Sequence, residues 1–227
     1  MEIQEALRSR RSVRQFLDKP VPEESIRRIL EGARFAPSGH NVQCWRVFVV
    51  TGEAKKRLSA ALLRAVDEDP LQERHQPCFS YYPASWHEPY LSRKREVGYQ
   101  LYRLVGVRRE DRAARDAQMR KNYEFFGAPV ALFVSFDKRL ADAAGTFMDI
   151  GMFIQSLLVG ARGEGLHTCA QACFNWYHEI VGRELAFSGN DLLVCGVSLG
   201  YADDDAPVNA LRAPKLSVDE FTTYRGT

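Results

Sequence analysis

The sequence shows little that is expected to place a chain in a membrane or carry it out of the cell. Its opening residues, MEIQEALRSRRSVRQF, contain no apolar stretch and no small-residue cleavage site, so no signal peptide is expected. No uninterrupted apolar run approaches the roughly 20 residues that span a bilayer. Charge of one sign is scarce too. The 31 Lys and Arg against 29 Asp and Glu leave a formal +2, which is too weak a field to draw the protein to nucleic acid or lipid. Five cysteines, an odd number, do not make a disulfide framework. Internal repeats and low-complexity linkers are absent. Together these absences predict a reduced, cytoplasmic protein with no membrane and no nucleic acid among its partners.

What remains is ordinary globular material: 227 residues, 45% hydrophobic and 26% charged. That length can bury a substantial core, and a single domain over 1–227 is expected. Residues 2–9 read as a short helix, and Asp18-Lys19-Pro20-Val21-Pro22 as a turn. Pro22 opens a helix with acids in its first turn, where the helix dipole favours them. Ile26, Ile29, Leu30 and Ala33 give that helix one apolar stripe, and it stops before Pro37. Trp45 to Val50 alternates and carries β-branched residues, as a strand does; Trp45 itself reads as core. Residues 53–68 read as a helix.

The stretch 71–90 is dense in Pro, Tyr, Trp and His and reads as a long loop, the kind that forms lids. Polar helices follow near 91–105 and 109–125, so that 71–126 forms an excursion over a substrate pocket. Val130 to Phe136 is a continuous apolar strand, expected at the centre of the sheet. The segment FMDIGMFIQSLLVGARG is a helix over 145–163, apolar on nearly all sides. It predicts burial on nearly all sides, with part of that burial in a subunit interface. It reads as too short and too polar for a membrane. A strand over 191–199 and an irregular tail complete the chain. The order of elements is mixed, so the fold class is α+β, a mixed sheet flanked by helices.

Arg10-Arg11-Ser12-Val13-Arg14 sits where the first helix gives way to extended chain. Side chains alternate along an extended segment, so Arg10, Ser12 and Arg14 share one side. Two guanidiniums and a hydroxyl aimed at one object suit a phosphate or another planar anion. A solvated basic turn fits the same residues. No aromatic platform is interleaved to suggest single-stranded nucleic acid.

RRSVRQF followed by APSGHNVQCW, then GLHTCAQACF at 165–174 and GYADDDAPVNALR at 200–212, resembles the FMN-dependent nitroreductase family. Four separated motifs occur in the expected order over almost the whole chain, and the likeness is greatest to reductases of the nitroaromatic and nitrobenzoate type. The resemblance implies a nitroreductase-like sheet and a homodimer whose central helix lies at the interface. It also implies FMN held between the subunits.

By this resemblance Arg10, Arg11, Ser12 and Arg14 line the FMN site. Arg10 stands at the phosphate and ribityl end and Arg14 at the N1–C2=O edge, where a cation stabilises the anionic reduced ring. Pro37, Ser38, Gly39, Asn41 and Gln43 reach the FMN bound mainly by the other subunit. Ala170, Gln171, Ala172 and Cys173 pass the flavin face and edge, with the Ala172 backbone N–H donating to N5; a backbone donor tolerates this side chain. Arg212 closes on the phosphate, with Lys215 a second candidate. Cys44 and Ala170 stand where the family often has proline, which loosens the backbone at both places.

The implied reaction is ping-pong: NAD(P)H reduces FMN and leaves, and a small aromatic acceptor such as a nitroaromatic or quinone takes the electrons. Alternatives are a relative with other flavin chemistry, such as a reductive dehalogenase or enone reductase, and a non-catalytic flavin carrier. Because the cofactor carries the chemistry, no catalytic side chain is expected.

Other patterns point elsewhere less well. Gly160, Gly163 and Gly165 end a helix rather than begin one, so they are not a dinucleotide fingerprint. Cys169 and Cys173 with His167 fit no metal or redox spacing. Cys78 near His75 and His87 leaves a nucleophile pair open. Phe79, Tyr81, Tyr82 and Trp86 suit either a wall for a flat substrate or the loop's own small core.

Overall fold

A computed structural model describes residues 1–70 and 72–226. Leu71, the first residue of the expected loop and excursion, and Thr227, the end of the chain, lie outside the described residues. Twelve helices and strands organise them. In chain order they are α1 (Ile3–Ser9), α2 (Glu23–Ala33), β1 (Trp45–Thr51), α3 (Gly52–Glu68), α4 (Tyr90–Leu104) and α5 (Arg112–Arg120), then β2 (Val130–Asp137), α6 (Ala144–Gly163), β3 (His167–Gln171), α7 (His178–Glu184), β4 (Asp191–Gly200) and α8 (Val218–Phe221).

The strands form one sheet in the order β1-β2-β4-β3, every neighbour antiparallel. Its parallel component is a single bridge between Ser12 and Thr168, which lays the N-terminal segment along β3. β2 is central and is buried throughout except at its last residue. Ala131 and Phe133 join a core with α3 and α7 on one face. Val130, Leu132, Val134 and Phe136 join a second core with α2 and α6 on the other. Burial from both faces is why VALFVSF, polar only at Ser135, carries a near-continuous apolar run and not an alternating one.

Most elements stand where the sequence places them. Pro22 caps α2, with Glu23 and Glu24 in the first turn. Trp45 stacks on Phe153 of α6 at 4.8 Å between ring centroids. The glycines after α6 form a helix stop: Gly165 adopts φ +72°, and the Leu166 N–H donates to the Ala161 carbonyl at 2.8 Å.

Three expectations need correction. β3 and α7 stand where no element is expected, and the irregular tail contains α8, opened by a capping box of Ser217 and Glu220. α6 is neither too short nor too polar for a membrane. It has 20 residues with a mean hydropathy of 1.3 over its most apolar stretch, enough by length and composition to cross one. Within its own chain the helix is buried along one face. Ile150, Phe153, Leu157 and Ala161 face the sheet and α2, while Met148 is 66% exposed. One chain has only one layer to lay against this helix, and the opposite face stays open.

Candidate active site

The site grows from β3, a strand of five residues bordered by β4 on one side and the N-terminal segment on the other. The Val13 N–H donates to the Thr168 carbonyl at 3.0 Å, and Ser12 bridges Thr168. This pairing holds the basic segment extended, which is the geometry that puts Arg10, Ser12 and Arg14 on a common side. Their convergence shows at Cys169. Burial pushes its thiol up, while Arg14, a hydrogen bond from Ser12 and then Arg10 pull the other way.

The C-terminal segment is tied to the same place by Asn209, which is buried. Its Oδ1 accepts from the Arg14 N–H at 2.8 Å. Its Nδ2 donates to the carbonyls of Gln15 at 2.7 Å and Asp203 at 2.8 Å. The Arg212 guanidinium donates in turn to the Asn209 carbonyl at 2.8 Å. One amide therefore joins residues from both ends of the chain, and sequence reasoning gave it no role although it lies within the GYADDDAPVNALR motif.

Beside β3 lies a cavity of about 540 Å³, lined among others by Arg14, Phe79, Tyr82, Tyr123, Ala172 and Cys173. A second cavity of about 560 Å³ shares Phe79, Ser80, Tyr81 and Ala170 to Ala172 with it and continues onto α6 at Phe147, Ile154 and Leu158. Both volumes fall within the 300–1,000 Å³ range of small-molecule sites. Phe79, Tyr81 and Tyr82 are thus both wall and cluster: they line the cavity, and Tyr82 packs on Trp86 with centroids 5.8 Å apart. Buried Asn175 holds the wall in place. Its Oδ1 accepts from the Cys78 N–H at 2.9 Å, and its Nδ2 donates to the Phe79 carbonyl at 2.8 Å.

Two expected site residues have side-chain partners within the chain. Gln171 is buried, and its amide is spent inward. Its Oε1 accepts from Ser198 Oγ at 2.6 Å, and its Nε2 donates to the Asn122 carbonyl at 2.8 Å. Arg11 pairs with Asp204 at 2.6 Å.

The loop Pro37 to Gln43 stands apart from these residues and is mostly exposed. It is held in an unusual shape. His40, Asn41 and Gln43 all have positive φ, a costly conformation for residues with a Cβ. The Gly39 N–H is fixed on Asp149 Oδ2 of α6 at 3.0 Å, and the Gln43 N–H on Ser38 Oγ at 3.0 Å.

The cysteines are unsuited to nucleophilic work, because the thiolate is the reactive form. Burial pushes Cys78 to about 11, and its Sγ faces Asn175 and Leu193 rather than a histidine. Burial also pushes Cys173 far up, with Cys169 adding to the effect. Among the described residues no cluster of three metal-ligating side chains occurs.

The charge balance suits an anion. Among the described residues Arg10, Arg14 and Arg212 have no carboxylate partner within 4 Å, whereas Arg11 does. Half-buried His167 is pushed down to about 4, first by burial and then by Arg162 and Arg11. Its Nδ1 and the Arg11 Nε are both buried without a hydrogen-bond partner. An arginine without a carboxylate partner, Arg14, lining a cavity walled by aromatic rings fits a ring-bearing anionic cofactor such as FMN.

The fold and this site describe an α+β oxidoreductase whose cavity lies against the β3 edge of the sheet. Residues 7–201 match the Nitroreductase family, and the chain belongs to that family. Over 222 residues it is 37% identical to a nitrobenzene nitroreductase of Ectopseudomonas oleovorans, covering 98% of this chain and 96% of the relative. A 4-nitrobenzoate reductase of Nocardioides sp. is 39% identical, covering 96% and 87%. Among solved structures, the FMN and NADPH-dependent nitroreductase NfnB of Sphigopyxis sp. strain HMH superposes with a TM-score of 0.92 at 38% identity, over the full length of both chains. NfnB of Mycobacterium smegmatis, solved with NADPH, gives 0.92 at 32% identity over 98% and 97%.

Proposed function

We propose that the protein is an FMN-dependent NAD(P)H reductase of nitroaromatic or quinone-like acceptors, working as a cytoplasmic homodimer with each flavin site shared between subunits. The observation that carries this reading is the Asn209 junction, which ties the Arg212 segment to the Arg14 segment, where Arg14 lines the cavity beside β3. Bound FMN would supply the redox chemistry, accepting two electrons from the nicotinamide and passing them to the acceptor. The protein would hold, charge and enclose.

Arg10, Ser12 and Arg212 would take the phosphate and ribityl end, with Arg11 contributing while it is paired to Asp204. Arg14 would face the N1–C2=O edge of the ring. Ala170 to Cys173 would pass along the ring face and edge, with the Ala172 N–H directed at N5. Phe79, Tyr81 and Tyr82 would keep water out and present a flat apolar surface to a flat acceptor. The stretch 71–126 would serve as lid and pocket wall within one domain.

The partner's share rests on what one chain leaves open. Pro37, Gly39, Asn41 and Gln43 are exposed, and α6 shows a bare apolar face. A second copy laid on α6 would cover that face and bring the loop to the neighbouring cavity. Dilution below the dimer dissociation constant should therefore release FMN. Sedimentation with flavin absorbance checks this, and a monomer that keeps its FMN sinks the shared site.

Arg14→Ala should lower the flavin reduction potential by about 30 mV or more, a tenfold change in a two-electron equilibrium, while FMN content stays near wild type. Anaerobic titration against a reference dye measures it. An unchanged potential would remove Arg14 from the ring. The overall reading is tested by colour: the purified protein should be yellow and bleach on anaerobic addition of NADPH.

A further inference from the structure

Outside the flavin cavity but next to it, one face of α4 and the turn into α5 form a groove of about 650 Å³. Arg95, Gly98, Tyr99, Tyr102, Arg103 and Gly106 recur along it at helical spacing. Arg108, Arg109 and Arg115 close the other side. Among the described residues no acidic side chain lines the groove, and none of these five arginines has a carboxylate within 4 Å. α4 buries none of its residues, so the core does not require this face. The groove also adjoins the flavin cavity. Arg115 lines the groove and Met119 the cavity, and four residues on one helix are separated by about 6 Å of rise.

We propose that this groove binds the 2′-phosphorylated adenosine half of NADPH and sets a preference for NADPH over NADH. The inference rests on the reductase reading, since it places the far end of the reductant whose nicotinamide enters the cavity. An adenine ring has a flat face for Tyr99 or Tyr102 and for the guanidinium planes. A ribose 2′-phosphate offers oxygens that arginine forks grip in pairs, and NADH lacks that group. The space over Gly98 is open, since a Cβ there would meet nothing within 4 Å, and this leaves room for a ring against the helix. Five guanidiniums crowded without counter-charge repel one another, and a dianion relieves that repulsion.

The test uses the FMN-loaded protein and an Arg108→Ala, Arg109→Ala double variant, both positions being exposed turn residues outside the core. Calorimetry with adenosine 2′,5′-bisphosphate should show binding to wild type and about tenfold weaker binding to the variant. The 5′-monophosphate should bind no better to wild type than to the variant. KM for NADPH should rise about tenfold in the variant, while reduced nicotinamide mononucleotide, which has no adenosine, keeps its wild-type kcat/KM. Failure of the bisphosphate to bind, or an equal loss with both reductants, overturns the proposal. Unchanged binding with a lost dimer overturns it too, by making the groove a subunit contact. If wild type binds the bisphosphate through these arginines but oxidises no nicotinamide, the groove stands as an adenosine phosphate site and the reductase reading falls.

Discussion

Asn209→Ala is expected to destabilise the protein by about 3 kcal/mol and to strip it of FMN. The side chain makes three short hydrogen bonds, to the Arg14 N–H and to the carbonyls of Gln15 and Asp203. Alanine replaces none of them, and a poorly solvated donor or acceptor left unpaired costs roughly 1–3 kcal/mol. The functional loss should exceed what instability alone explains. Without the amide, the Arg212 segment is no longer fixed to the Arg14 segment, and two halves of one anion site separate. Asn209→Asp should be worse than alanine, because a carboxylate cannot donate and would face two carbonyl oxygens. Urea unfolding followed with FMN content checks both variants. If the alanine form unfolds at the wild-type midpoint and stays yellow, Asn209 is not the junction.

How much of this was legible beforehand differs from element to element, for physical reasons. β2 and α6 announced themselves because burial demands long apolar runs, which few other structures tolerate. β3 did not. HTCAQ has no apolar alternation, and it is a strand because β4 pairs with it on one side and Ser12 with Thr168 on the other. That information lies some thirty residues downstream and some 150 upstream, beyond any local pattern. α8 was readable, since Ser217 and Glu220 stand at capping-box spacing, but a four-residue helix is too short to carry an apolar stripe.

At the site, motifs located the right segments without giving side-chain directions. Whether Gln171 faces the cavity or the core depends on the β3–β4 register, because neighbouring strand residues point oppositely. The register pairs Gln171 with Gly196, and the amide finds Ser198 and Asn122 inside. Arg11 likewise turns to Asp204, a partner 193 positions away. The Arg10–Ser12–Arg14 alternation required only that the segment be extended. That much the sequence could support, because it is local.

The segment that would meet the flavin is anchored from behind by Phe174, and its loss should be the costliest single change in the region. The ring is fully buried, stacked on Phe125 at 5.3 Å and edge-on to Phe133 at 5.1 Å and Tyr123 at 5.9 Å. Phe174→Ala should cost about 4 kcal/mol, near the middle of the range for deleting a buried aromatic. The strand beneath has made room for it. A Cβ on Gly196 would lie 2.5 Å from Phe174 Cδ2 and 3.3 Å from Phe133 Cε1. The rings on three sides leave Phe174 nowhere to slide, so Gly196→Ala should cost about 2 kcal/mol by overpacking. The two losses should not add. Leucine at 174 removes the ring edge that the new methyl would strike. Phe174→Leu with Gly196→Ala should therefore be more stable than the sum of the single changes predicts, by about 1 kcal/mol, as expected for residues in contact. Chemical unfolding of all four proteins completes the cycle. Strict additivity would mean that Gly196 is small for a reason other than this ring, and the link from the β4 floor to the Ala172–Cys173 backbone would be lost.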